Sequence, residues 1–341
     1  MSSKTKSVTA VLIVLALVAG VGMTKAGSKY KTQEKVNLIF ANVTSNSAKK
    51  AGEKFKELVE EYSDGDITVD LFQDNQLGDD KTAAEGVQNG DIDIAVSSSS
   101  SLSTLYDTPY LFLNSQEVYD VGFDGKAAQE MLKGVSKVGL KHMAMWENGF
   151  RNYTNNDHAI ETPADCKGQK IRTMENPIHL KAWKSIGANP TPMAFSELFT
   201  AMQQGTVDGE ENPIGIIYSN RFYEVQKYIS MTQHVYTPYV VVMNPDKYDS
   251  LTDEQQKIID KAMKEASAYQ LEVSAKDEEE GIKEMEKYGC EVNTLTDDQK
   301  KEFQKLIEDA DVFSLAKSSM EHPEYFDEIQ KELTQYREEG K

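Results

Sequence analysis

Two arginines and an asparagine are the residues of this chain best placed to do chemistry. They are Arg151 in "NGFRNYTN", Arg172 in "GQKIRTMENP" and Asn212 in "VDGEENP". Each falls where the chain reads as reversing direction: Ile171-Arg172 closes a strand, and Asn176-Pro177 then turns away from it. A guanidinium offers a planar fork of N–H donors that matches the two oxygens of a carboxylate, and an asparagine adds a donor and an acceptor. The chemistry such a set supports is the gripping of an anion. Taken singly, each residue also has an ordinary surface reading.

Motifs for catalysis are missing. The sequence has no GxSxG elbow, HExxH helix, GxGxxG turn or Walker loop. Its five histidines, His142, His158, His179, His234 and His322, are scattered without ligand spacing. "QDNQLGDDKTAAE" (Gln73 to Glu85) imitates a calcium loop, but with Gly78 in the sixth position the twelfth is Ala84, which cannot ligate. Among 56 acidic residues no catalytic pair stands out by spacing. No cofactor, no metal and no enzymatic activity are therefore expected. Ser97 to Ser101 read as a polar strand end whose hydroxyls are candidates to line a cleft.

The elements that must position these residues alternate. "VNLIFANV" (Val36 to Val43) reads as a strand, and Ala51, Phe55, Leu58, Val59 and Tyr62 then form one helical stripe. "DITVDLF" (Asp66 to Phe72) is a second strand, "DDKTAAEGVQNG" (Asp79 to Gly90) a helix ending at glycine, and "DIDIAVS" (Asp91 to Ser97) a third strand. This βαβαβ order implies a parallel sheet with helices on its faces and ligands beyond the strands' carboxyl ends. After "NGFRNYTNN" the pattern restarts with strand "GQKIRTM", helix "PIHLKAWKSIG", a short strand at "TPM" and helix "FSELFTAMQQG". "KYISMT" and "YTPYVVVMN" give two more strands. The expected architecture is two α/β units joined by more than one crossing. From Thr252, a capping box with Gln255 opens a helix of more than twenty residues with no glycine before Gly281. Its apolar residues drift from a strict heptad, so packing along both units is expected rather than a coiled-coil arm. "CEVNTL" returns a strand, and the tail to Lys341 reads as charged helix.

Composition sets the outer limits. At 341 residues the chain has room for two domains, and 39% hydrophobic with 27% charged residues is ordinary for a folded protein. The net charge of −19 argues against nucleic acid, whose phosphates it would repel. Lys4 and Lys6 precede sixteen mostly apolar residues, Val8 to Met23, and "TKA" offers small residues for cleavage. That is short of the ~20 residues that span a bilayer, so residues 1–26 read as a signal peptide, an uncleaved anchor being the alternative. Cleavage would remove three lysines and no acids, taking the charge from −19 to −22. Cys166 and Cys290 remain after export, and the sequence leaves open whether they pair.

"GFRNYTN", "KGQKIRTMENPIHLKAWKSIGANPTPMAFSELFTAMQQGTVDGEENP" and "YEVQKYISMTQHVYTPYVVVMN" resemble the solute-binding proteins of tripartite ATP-independent periplasmic (TRAP) transporters, the DctP-type family. The resemblance runs from about Val36 to beyond Leu251 and includes "ITVDLFQDNQLGDDKTAAEGVQNGDIDI". It implies an α/β, two-domain periplasmic-binding-protein clamshell with a long helix spanning both domains. The expected parts are a signal peptide at 1–26, domain I at 33–150 plus about 236–265, and domain II at 151–235 plus about 285–312. The long helix is expected at about 252–288 and a helical tail at 313–341.

Carried over by position, the resemblance implies that Arg172 pairs with a ligand carboxylate and that Arg151 and Asn212 face the ligand. Glu85 matches an acidic position that contacts ligand hydroxyls or a bound water. Asn46 stands where many members carry a histidine, a departure that bears on ligand identity. The implied function is capture of an organic acid, a sugar acid or a C4-type dicarboxylate, in the periplasm and its delivery to a small and a large membrane permease subunit. Ser97 to Ser101, Asn42 and Glu85 lean toward a hydroxylated acid. A monomer is expected; a ligand-sensing subunit for a membrane receptor is the alternative function.

Overall fold

Two sheets, each with one reversed strand, organise the molecule. The computed structural model describes residues 35–101 and 104–340, so the expected signal peptide lies outside the described residues. The first sheet has the order β2-β1-β3-β10-β4. Its strands are β1 (Val36–Ala41), β2 (Ile67–Phe72), β3 (Ile94–Ser98), β4 (Lys141–Trp146) and β10 (Tyr239–Met243). The second has the order β11-β9-β5-β8-β6-β7. It comprises β5 (Phe150–Asn155), β6 (Lys170–Thr173), β7 (Asn189–Pro192), β8 (Gly209–Pro213), β9 (Tyr228–Tyr236) and β11 (Glu291–Thr294).

β10 alone is antiparallel in the first sheet and β5 alone in the second. The reason is topological. The chain leaves the carboxyl end of β4, crosses in Glu147–Gly149 and enters the second sheet as β5, where Arg151 pairs with Pro213 at the end of β8. It returns through Thr237-Pro238 to start β10, where Tyr239 pairs with Ser98 at the end of β3. A strand entering a sheet at its carboxyl edge must run backwards. Gly149 turns the first crossing at φ 101°, a region open to glycine.

Helices cover the sheets. α1 (Asn46–Tyr62) and α2 (Asp80–Asn89) connect β1 to β3; the short α3 (Ser115–Glu117) and α4 (Lys126–Gly134) precede β4. α5 (Pro177–Ile186), α6 (Phe195–Gln203) and α7 (Ile214–Ser219) follow β6, β7 and β8, and α8 (Pro245–Ser250) follows β10. The long helix is α9 (Asp253–Tyr288), 36 residues, opened by the Thr252–Gln255 capping box and ended at Gly289. It packs on α1 and β4 at one end and on α7 further along, then leads into β11. Gly281 permits the close approach to α7: a Cβ there would lie 3.1 Å from that of Tyr218. No described helix is long and apolar enough to cross a membrane.

The cores do not divide at residue 150. Leu105, Tyr106, Tyr110 and Phe112, with Ala127 and Ala128 of α4, share a core with Tyr153, Ile171 and Trp183 of the second unit. The expected tail is not free helix. α10 (Asp297–Asp309), α11 (Val312–Ser318) and α12 (Glu324–Glu338) bury Phe303, Ile307, Phe326 and Leu333 in that same core. Arg337 fastens the tail by donating to Glu117 at 2.7 Å and to the Leu111 carbonyl at 2.8 Å. Cys166 and Cys290 are both buried and free, and they belong to different cores.

Candidate functional site

The carboxyl edges of the two sheets face one cleft of about 360 Å³, within the ~300–1,000 Å³ usual for small-molecule sites. Thr44 after β1, Ser98 at the end of β3, Ser100 just beyond it, and Tyr239 of β10 line it from the first sheet. Arg151, Arg172, Asn176, Phe195 and Asn212 line it from the second. Another cavity, of about 270 Å³, lies between α4 and residues 319–325, but no arginine or lysine lines it.

Arg172 is the distinctive group. It is 2% exposed, and Nε and Nη2 both donate to the Met193 carbonyl, at 3.1 and 2.8 Å. Nη1 is buried with no hydrogen-bond partner, and among the described residues no carboxylate pairs with this guanidinium. Its aromatic neighbour is the Phe195 ring, whose centroid lies 5.9 Å from Cζ. Burial and the like charge of Arg151 pull its pKa down to about 10, opposed by Glu211, Glu210 and Asp80. It is still charged at neutral pH. A desolvated cation held only by a neutral carbonyl is costly unless an anion completes it. One edge of the fork holds the side chain in place, and the Nη1 edge is left for a ligand.

Arg151 differs, although it is as deeply buried. Its Nε donates to Glu211 Oε2 at 2.5 Å and Nη2 to Oε1 at 2.9 Å, with a further Nη2 bond to the Glu211 carbonyl. Glu211 also meets His234 Nε2 at 3.0 Å and lies 3.7 Å from His179. Burial opposes its charge, but Arg151 and the two imidazoles outweigh burial and hold it well below the usual carboxylate range. Asn212 donates to Glu210 Oε2 at 2.5 Å, and Thr154 donates to Oε1 at 3.1 Å. Burial pushes Glu210 up to about 7, with the adjacent Glu211 adding to the shift.

Arg151 and Asn212 are therefore not on chain reversals. "GEENP" forms the buried central strand β8, flanked by β5 and β6. Its acids and proline carry little strand propensity, so the local sequence does not announce it; neighbours on both sides impose it. Of the five expected site residues, the structure brings Arg172, Arg151 and Asn212 into the cleft. Glu85 and Asn46 do not line it. Glu85 is exposed on α2, about 140° around the helix from Asp80, and Asp80 lines the cleft together with Asp79 and Glu175. Asn46 begins α1 and turns its backbone N–H to Ser219 Oγ at 3.0 Å. The missed residues Asp80, Tyr239 and Thr44 share one legible signal: each adjoins the carboxyl-edge end of a strand or the amino end of a helix.

A family model for bacterial extracellular solute-binding proteins of family 7, DctP, matches residues 40–311. The chain is 38% identical over 250 residues to the 2,3-diketo-L-gulonate-binding periplasmic protein of Escherichia coli, covering 72% of this chain and 76% of that one. It is 32% identical over 263 residues to the C4-dicarboxylate-binding protein of Bacillus subtilis, over 75% of each. The sugar acid binding protein of Advenella mimigardefordensis, solved in complex with galactonate, matches with a TM-score of 0.83 at 30% identity, over 89% of this chain and 99% of that one. The matched span takes in the strands of both sheets, the long helix and the cleft between the sheets. The chain belongs to the DctP family of extracellular solute-binding proteins, a family of receptors and not of enzymes.

Proposed function

We propose that this protein captures an organic-acid anion in the cleft, in the periplasm, and delivers it to the small and large membrane subunits of a TRAP-type transporter. The carrying observation is Arg172: a buried, charged guanidinium with an unpartnered Nη1 at the carboxyl edge of a sheet. A carboxylate supplies both the charge and the second acceptor that this fork lacks. Relatives named for 2,3-diketo-L-gulonate, galactonate and C4-dicarboxylates support the organic-acid class. Arg151 and Asn212 contribute by fixing the wall from which Arg172 projects. Glucuronate and its uncharged amide, glucuronamide, test the reading by calorimetry. At least a hundredfold preference for the acid is expected, and equal binding would exclude carboxylate recognition. Transport is tested by deleting the gene in a strain that takes up the acid through the membrane pair; unchanged uptake would separate this chain from the transporter.

A further inference from the structure

The charges inside the cleft restrict which organic acid it accepts. Six charged side chains line it: Asp79, Asp80, Lys81, Arg151, Arg172 and Glu175. Asp79, Lys81 and Glu175 are exposed at the mouth, where water and salt screen them. Arg151 is committed to Glu211 through both Nε and Nη2. The interior therefore presents two guanidinium groups, of which Arg151 is paired with Glu211 and Arg172 has no carboxylate partner among the described residues, and one carboxylate, Asp80. Arg172 and Asp80 do not form an ion pair, yet each acts on the other's charge across the cleft. The space between them is where a ligand fits.

Asp80 is well kept in its place. It is the first residue of α2, whose N-cap Asp79 accepts from the Thr82 N–H at 2.9 Å. Burial raises the Asp80 carboxyl to about 6, opposed by the Ser98 backbone amide and by Arg172, so it is mostly ionised at neutral pH, and the amino end of that helix favours the negative charge. An ionised carboxylate in a part-dry site accepts hydrogen bonds from hydroxyls and repels a second carboxylate. The remaining open groups point the same way. The Tyr239 hydroxyl is buried in the lining, with Ser45 as its polar neighbour. Thr44 Oγ1 accepts from Asn220 at 3.1 Å, which leaves its own proton to give.

We infer that the cleft selects a monocarboxylate bearing several hydroxyl groups over a dicarboxylate: Arg172 holds the carboxylate, and Asp80 accepts from a hydroxyl further along the ligand and turns away a second carboxylate. The inference rests on the organic-acid reading above and narrows it.

Calorimetric titration of the purified protein with galactonate and glucuronate, against succinate and malate, decides it. At least one hydroxylated monocarboxylate is expected to bind a hundredfold or more tighter than either dicarboxylate. Asp80→Asn keeps the size and removes the charge, and Asp80→Ser removes most of the acceptor as well. Both should weaken the preferred acid tenfold or more and tighten succinate, with apo melting temperatures reported alongside to separate loss of fold from loss of selectivity. Tighter binding of succinate by the unaltered protein would overturn the inference and leave the organic-acid reading standing. So would a folded Asp80 variant of unchanged preference. Binding of none of the four acids would sink the organic-acid reading itself.

Discussion

Arg172 is desolvated before any ligand arrives, and this makes its substitutions informative. Arg172→Lys keeps the charge but cannot hold the Met193 carbonyl with two donors and still offer a fork to the cleft. Loss of one charge-assisted hydrogen bond should cost about 1.5–3 kcal/mol, or about ten- to two-hundredfold in Kd; Arg172→Ala should cost more. Because the apo guanidinium is buried without an anion, its removal should leave the apo melting temperature level or raise it. Wild-type affinity in the lysine variant would refute fork recognition, and a collapsed apo melt would make the residue structural. Arg172 was legible from its residue type together with its place at a strand end, whereas Asp80 offered only its place at the start of a helix. An acid among 56 carries no mark of its own, and only the start of α2 against β3 distinguishes Asp80 from Glu85. His179 supports a second prediction. Burial alone would lower its pKa, but Asp107 at 3.4 Å and Glu211 at 3.7 Å outweigh this and raise it to about 8. The folded state thus holds the proton more tightly than the unfolded chain, where histidine titrates near ~6.5. The stabilisation is complete below that value and is lost as pH rises through about 8. His234 is lowered by burial, so its window lies on the acid side of ~6.5. Urea melts between pH 6 and 9 should show a loss that His179→Gln flattens; parallel pH profiles would assign the charge elsewhere.

Three crossings join the two sheets, and Gln270 of α9 ties the long helix to the first of them. Its Oε1 accepts from the Glu147 N–H at 2.8 Å, and its Nε2 donates to the Glu147 carbonyl at 2.6 Å and to Ser47 Oγ at 3.1 Å. The Glu147 side chain in turn accepts from Tyr119 and from Tyr236, the latter at 2.6 Å and next to the second crossing. Burial raises the Glu147 pKa, the two hydroxyls opposing the shift and Glu278 adding to it. Gln270→Ala strands both backbone groups of Glu147 and should cost about 1–3 kcal/mol. Faster amide exchange at residues 147–149 is the expected signature; unchanged protection there would remove α9 from the hinge. The long helix and β1 to β3 were legible because capping box, helical stripe and apolar strands agree with one another. β8 was hidden because its buried acids look like a surface loop until Arg151, Asn212 and Thr154 are seen to satisfy them. Residues 105–112 were assigned to the wrong core side for a similar reason: an aromatic-rich connection has no period to say which sheet it packs on.

At the scale of the whole molecule, α1 and α7 pack across the cleft through one apolar core that includes Ala48, Ala51, Ile214 and Ile217, and hydrogen bonds add to it. Across the cleft mouth Asn220 Nδ2 donates to Thr44 Oγ1 at 3.1 Å, and the Asn46 N–H donates to Ser219 Oγ at 3.0 Å. Each such bond is worth about 0.5–1.5 kcal/mol net, a modest addition to the apolar packing of α1 on α7. A ligand that bridges Arg172 to the first sheet adds contacts that exist only when the sheets face each other, and closure should follow its binding. The net charge of −19 also disfavours self-association, so the change should occur within a monomer. Small-angle scattering on a concentration series should give a monomer whose radius of gyration falls on saturation with the preferred acid. Ser219→Ala with Asn220→Ala, neither of which lines the cleft, should enlarge the ligand-free average and weaken binding, because the competent closed state becomes rarer while its contacts with the ligand stay the same. The weakening should approach tenfold if both bonds are lost, about 1.4 kcal/mol, and the saturated radius should match that of the unaltered protein. A radius that does not move at saturation, in the unaltered protein and the double variant alike, would show that the cleft is preformed and that the two lip contacts are incidental to capture.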